Sequence, residues 1–182
     1  MGTKEIAIQD SQRVASLSLP QCVTLRLKWM GMVEGKRYLS HGLDPLTQTE
    51  IDNINFHIKL IEARLEPGDE REKLTMVAAM LVTFPGERMD ETTVRARNHA
   101  YNMAVFDMPV WAVREAIRKW IRGKVSGIPL TEFKWAPWPA VLRKIAEDEV
   151  RPYQEALDNM RWVLEAKPLQ DTLADLDTRG CA

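Results

Sequence analysis

Cysteine is nearly missing from this chain, with Cys22 and Cys181 the only two in 182 residues. Neither has a CxxC partner or a histidine cluster beside it. A disulfide scaffold and a structural zinc site are therefore not expected, and no metal or cofactor is called for. Also lacking is any apolar run of about 18 residues, and the N-terminal MGTKEIAIQDSQ has no apolar signal core, so the chain reads as cytoplasmic with no membrane partner. Charge of one sign is not in excess either: 25 Lys and Arg stand against 26 Asp and Glu, for a formal net charge of −1. A general nucleic-acid coat is excluded by that balance, and any basic surface has to be local.

Catalytic signatures are equally scarce. GxxxxGK[ST], GxGxxG, GxSxG and HExxH do not occur, and the three histidines lie in different segments. Glu147, Asp148 and Glu149 are consecutive, so on a helix they point in different directions and form no paired-carboxylate site by themselves. No catalytic residue and no enzyme activity is expected.

What is present is an ordinary globular composition, 45% hydrophobic and 28% charged, long enough for one domain with appendages. Residues 1–46 read as an N-terminal arm with at most one local element. The stretch QCVTLRLKW (21–29) alternates loosely like a strand that has no partner. Residues 47–166 read as a helical domain, and 167–182 as a flexible tail. TQTE (47–50) is a capping box, opening a helix whose Ile51, Ile54, Ile58, Ile61 and Leu65 draw a narrow stripe up to Pro67-Gly68. His57, one residue off that stripe, reads as an edge histidine rather than a metal ligand. Asp69 and Glu72 repeat the capping logic for a helix through Leu74, Val77, Met80, Leu81 and Phe84, ending at Pro85-Gly86. Asp90 opens a third through Val94, Tyr101, Ala104 and Val105.

The stretch DMPVWAVREAIRKWIRG (107–123) predicts a fourth helix, with Asp107 as N-cap, Pro109 in the first turn and Gly123 just past the end. Val110, Val113, Ala116, Ile117, Trp120 and Ile121 share its core-facing arc. Arg114, Arg118, Lys119 and Arg122 fall on the other side with Trp111 among them, and Lys124 follows. Five basic residues against the single Glu115 over 109–124 make this the most informative surface. It reads either as a ridge for phosphates or an acidic partner, with Trp111 as stacking aromatic, or as an ordinary charged helix face.

KWAPWP follows, with its prolines fixing an extended approach and Trp135 and Trp138 expected to clamp the next helix onto the bundle. Met76, Met80, Met103 and Met108 read as core filler. The last helix opens at Pro139 and runs to about Ala166, with one wide apolar arc and a kink or break expected near Pro152. The fold class is thus all-α: a small bundle of four or five helices with a long C-terminal helix.

In order, Phe84-Pro85, a helix carrying Tyr101, the AI-x-x-W-x-x-G helix end at 116–123 and the proline-flanked APWPAVLRKIAE at 136–147 resemble the phage and prophage replicative-helicase loader/inhibitor class. The resemblance covers residues 70–150. It implies a non-catalytic helical protein that binds the replicative hexameric helicase, often through a terminal region, and delivers it to origin DNA. The resemblance makes the part beyond Glu149 the candidate helicase-binding region, with Val150, Tyr153, Leu157, Met160 and Leu164 as its apolar stripe, although 150–164 departs from a purely disordered tail by keeping helical phase. DNA is a second partner through the basic helix. Two other readings stay open: a DNA-binding regulatory protein using helix 109–124, and an oligomeric adaptor associating through the Ile51–Leu65 stripe and the last helix.

Overall fold

The computed structural model describes residues 19–28, 30–33, 36–39, 44–84 and 90–168. The class is all-α with a long C-terminal helix, as the amphipathic spacing requires. The described residues hold α1 (Gln21–Lys28), α2 (Gln48–Leu65), α3 (Glu70–Thr83), α4 (Glu91–Val105), α5 (Val110–Ile121) and α6 (Pro139–Glu165), plus a 3₁₀ turn at Glu132–Lys134. Three very short strands accompany them: β1 (Met30–Val33), β2 (Lys36–Leu39) and β3 (Lys167–Pro168). The chain divides into two compact units, Arg64–Pro152 and the residues on either side, Met1–Ala63 with Tyr153–Ala182. Those boundaries differ from the 46/47 and 166/167 divisions that composition suggested.

In the unit formed by both ends of the chain, the supposed arm holds more than one local element. The stretch 21–28 is helical rather than extended. Pro20 starts it, its carbonyl accepting from the Val23 and Thr24 amides, and Val23 and Arg26, three apart, are the buried positions. Alternation was misleading because Arg26 is itself inside: its guanidinium donates to Glu50 at 3.3 Å and to the Asp44 carbonyl at 3.2 Å. The strands also find partners. β1 pairs antiparallel with β2, Met30 opposite Leu39, and β3 runs parallel to β2 with Tyr38 opposite Lys167. Two residues of the expected tail are thereby in a ladder, and 169–182 lie outside the described residues.

The capping box of α2 is made in both directions: Glu50 N–H donates to Thr47 Oγ1 at 3.3 Å, and Thr47 N–H to Glu50 Oε2 at 2.9 Å. That backbone bond is the main reason the Glu50 carboxyl titrates below its ordinary value. Ile54, Ile58 and Ile61 of α2 are buried, as are Tyr153, Ala156, Leu157, Met160 and Val163 of α6. An ion pair between Arg161 and Glu62 at 2.7 Å joins the two helices at their surface. His57 is half-buried with its ring edge-on to Phe56 at 6.0 Å.

The unit Arg64–Pro152 opens with a turn that only glycine can make. Gly68 has φ +67°, and a Cβ there would lie 2.9 Å from Val110 Cγ2. Asp69 then caps α3 by accepting from Arg71 N–H at 2.9 Å, and Asp90 caps α4 by accepting from Thr93 N–H at 2.7 Å. The stop expected at Pro85-Gly86 lies outside the described residues. α3 packs on α4 and α5, and the core joins Val77, Met80, Tyr101, Val105, Ala112, Val113, Ala116, Ile117, Trp120, Leu142, Ile145 and Val150. Of the methionines taken as filler, Met80 and Met108 are buried and Met103 is exposed.

One core member was missed. Lys73 is wholly buried, four residues before Val77 on the apolar stripe of α3. Its ammonium donates to the carbonyls of Phe106 and Met108 just past the end of α4, the latter at 3.1 Å. A side chain from another helix thus serves as a distant C-cap. α6 runs unbroken through Pro152, so the break considered there does not occur. That proline is solvent-exposed, and the helix continues past the one donor it lacks.

Candidate macromolecule-binding surface

Helix α5 is set up differently at its two ends. Asp107 does not cap it; Pro109 occupies the N-cap, its carbonyl accepting from Ala112 and Val113. Asp107 instead makes a two-pronged ion pair with Arg143 of α6, at 2.7 and 2.9 Å. The hydrogen bonds from Arg143 hold the Asp107 carboxyl below its usual range, and Asp107 in turn raises the Arg143 guanidinium. At the other end Gly123 behaves as its position predicted, with φ +61°. The Lys124 amide reaches back to Lys119 O and the Gly123 amide to Trp120 O, the reversed bonds of a helix closed by a left-handed residue.

The residues expected to form a free cationic ridge are mostly engaged within the chain. Arg114 pairs with Glu72 of α3, Arg118 with Glu115 one turn earlier, and Lys119 with Glu149 of α6. Only Arg122 and Lys124 remain exposed with no ion pair to a described residue. Trp111 is no free stacking platform: it is half-buried against the core, its indole N–H donates to Arg64 O at 2.8 Å, and the Arg64 guanidinium lies over the ring at 5.1 Å. Its place among the arginines on the helical wheel did not reveal the chain before Pro67 that covers it.

The proposed helicase-binding stripe needs the same correction. Val150, Tyr153, Leu157 and Met160 are buried and Leu164 is half-buried, so this seam holds the fold together and offers a partner nothing in this conformation. Ile54, Ile58 and Ile61, the middle of the stripe offered for self-association, are buried too. Ile121, expected in the core arc, is exposed.

Of the large apolar side chains left exposed among the described residues, three lie in the loop after α5. Trp135 is 59% exposed, Trp138 78% and Leu130 79%, against 4% for Trp120. The expected clamp is made by the backbone rather than by the indoles. Trp120 donates its N–H to the Trp135 carbonyl at 2.9 Å, the Tyr101 hydroxyl donates to the Pro137 carbonyl, and the Leu142 amide donates to the Trp138 carbonyl at 3.0 Å. Phe133 supplies the side-chain contact, its ring tilted on Trp120 with centroids 4.8 Å apart. Burial pushes the Tyr101 phenol above its ordinary pKa, so it stays a donor throughout the physiological range. The loop is thereby fixed at three successive carbonyl sites while two indoles face solvent beside exposed Lys134.

Sequence reasoning had the W-x-x-W spacing but assigned those rings inward, because tryptophan is usually buried. The signal it contained was the pair of prolines. Pro137 and Pro139 keep the segment out of a helix, so its side chains cannot be gathered onto one apolar stripe.

No family model, curated protein or solved structure matches the chain. Among the described residues no helix is long and apolar enough to cross a membrane, and no group of three or more His, Cys, Asp or Glu is placed to hold a metal ion.

Proposed function

We propose that the protein is a non-catalytic accessory protein of phage-type DNA replication that binds the replicative hexameric helicase and loads or restrains it. The observation that carries this reading is the pair of uncovered tryptophans, Trp135 and Trp138, on a loop held at the carbonyls of residues 135, 137 and 138, with exposed Lys134 next to it in sequence and exposed Arg122 and Lys124 at its start. Exposed aromatic anchors on a pre-organised backbone suit a macromolecular partner better than a small molecule, which needs a concave pocket. The resemblance to the loader/inhibitor class adds the identity of that partner, and its span of 70–150 nearly coincides with the unit Arg64–Pro152.

The two other readings lose their supporting surfaces. A DNA-binding regulator using the whole basic helix would need Arg114, Arg118 and Lys119, which are engaged by carboxylates of the same chain. An adaptor associating through α2 and α6 would need apolar stripes that are already buried.

Size-exclusion chromatography with light scattering, run on the full chain mixed with a bacterial replicative hexameric helicase in the absence of DNA, tests the reading. A co-eluting complex is expected. Two unshifted peaks at micromolar concentration would count against it.

A further inference from the structure

We infer that the Trp135–Trp138 loop is a contact for single-stranded DNA, its two indoles stacking on bases while Arg122, Lys124 and Lys134 take the phosphates. The inference deepens the replication reading and rests on it for the choice of DNA over RNA.

The argument starts from what the unit does with its other tryptophans. Trp111 and Trp120 are each covered and each donates its N–H to a backbone carbonyl, so this unit is able to bury indoles. Trp135 and Trp138 are left out although their backbone is inside. The bonds that the Trp135, Pro137 and Trp138 carbonyls accept from Trp120, Tyr101 and Leu142 fix the backbone, and with it the direction in which each indole leaves the chain. Three residues of proline-restricted chain separate their Cα atoms by at most about 10 Å, within the reach of neighbouring nucleotides on an unstacked strand.

The charge left unmatched is in the same neighbourhood. Arg114, Arg118 and Lys119 are neutralised by Glu72, Glu115 and Glu149. Arg122 and Lys124 have no ion pair to a described residue, and they flank Gly123, where an added Cβ would sit 3.6 Å from Phe133 of the loop. Lys134 precedes Trp135 directly. Aromatic faces interleaved with cations are the recognition chemistry of an unpaired strand, which presents both π-faces and phosphates. A duplex hides the faces in its stack, so it would use the cations alone.

The test is fluorescence anisotropy of labelled dT20 with the full chain at 50 mM salt, beside a 20-base-pair duplex and rU20. Binding of dT20 with quenching of tryptophan emission is expected, with the duplex at least tenfold weaker. Trp135→Ala with Trp138→Ala should raise the dT20 Kd by roughly 100- to 10,000-fold, because each of the two stacked bases contributes about one to two powers of ten. Trp138→Phe should recover part of the loss. Arg122→Gln with Lys124→Gln should weaken binding and flatten the slope of log K against log salt by about 1.4. An unchanged unfolding midpoint for each variant shows that the fold is intact.

No binding of dT20, equal affinity for the duplex, or unchanged affinity in the double-tryptophan variant would overturn the inference. Equal affinity for rU20 would overturn the choice of DNA. If the tryptophan variant instead loses helicase in the DNA-free mixture and the protein ignores dT20, the loop is a protein contact and the replication reading survives. Binding of dT20 without any helicase complex would leave the strand contact standing and remove the helicase.

Discussion

Trp120 and Trp138 lie eighteen residues apart in the same unit and have opposite fates. Trp120 is 4% exposed, one of the last residues on the core face of α5, and its N–H is satisfied by the loop. Trp138 is 78% exposed, yet its carbonyl is bonded to the first turn of α6. In the first case the fold grips a side chain; in the second it grips only the backbone. Residue type alone therefore does not report whether a tryptophan belongs to the core. What decides is whether the segment has a periodic face on which the ring can join other apolar groups. α5 has one, and the loop, held extended by Pro137 and Pro139, does not.

The largest effect expected from breaking this contrast is at Trp120. Trp120→Ala removes the ring from Phe133 and leaves the Trp135 carbonyl without its donor, so chemical denaturation should show a loss of about 3–5 kcal/mol. Lys73→Met comes next, at about 1–3 kcal/mol, because two carbonyls past the end of α4 lose their donor while the apolar stem is retained. Burial holds the Lys73 ammonium below its ordinary pKa of 10.5. The folded protein then sheds this proton more readily than the unfolded chain. Stability of the native protein relative to this variant should accordingly increase as the pH is raised towards that value.

Asp107→Asn sharpens the comparison at the other end of α5. The pair with Arg143 is partly exposed, so a loss of about 0.5–1 kcal/mol is expected at pH 7. Asp107 titrates below its ordinary 3.8 in the folded state. Its contribution is complete above that value and lost as the pH falls through the lower, folded one, so thermal melts of variant and native protein should converge in acid. The smallest effect belongs to Trp138→Ala. Its ring covers little, and the unfolding free energy should move by less than about 0.5 kcal/mol. A loss comparable to that at Trp120 would show that the indole, and not only the backbone, helps to hold the loop.

The helices of the unit Arg64–Pro152 were legible because their signals are local. Asp69, Asp90 and Gly123 act on neighbouring amides and carbonyls, and Val77, Val113, Trp120 and Leu142 fall on faces that periodicity alone identifies. Arg26 and Lys73 were not legible, since a buried cation is tolerated only by acceptors distant in sequence, Asp44 O and Glu50 for one, Phe106 O and Met108 O for the other. The third strand was missed for a similar reason: β2 gains its second neighbour from residues 167 and 168, more than a hundred positions away.

The amino-acid order by itself determined where helices start and stop, because capping and apolar spacing act within one turn or two. Only the tertiary structure decided which cations are neutralised, which apolar seam is consumed, and which tryptophans stay in water. Those outcomes depend on carboxylates, carbonyls and rings brought close by packing, and no spacing within a single helix encodes such neighbours.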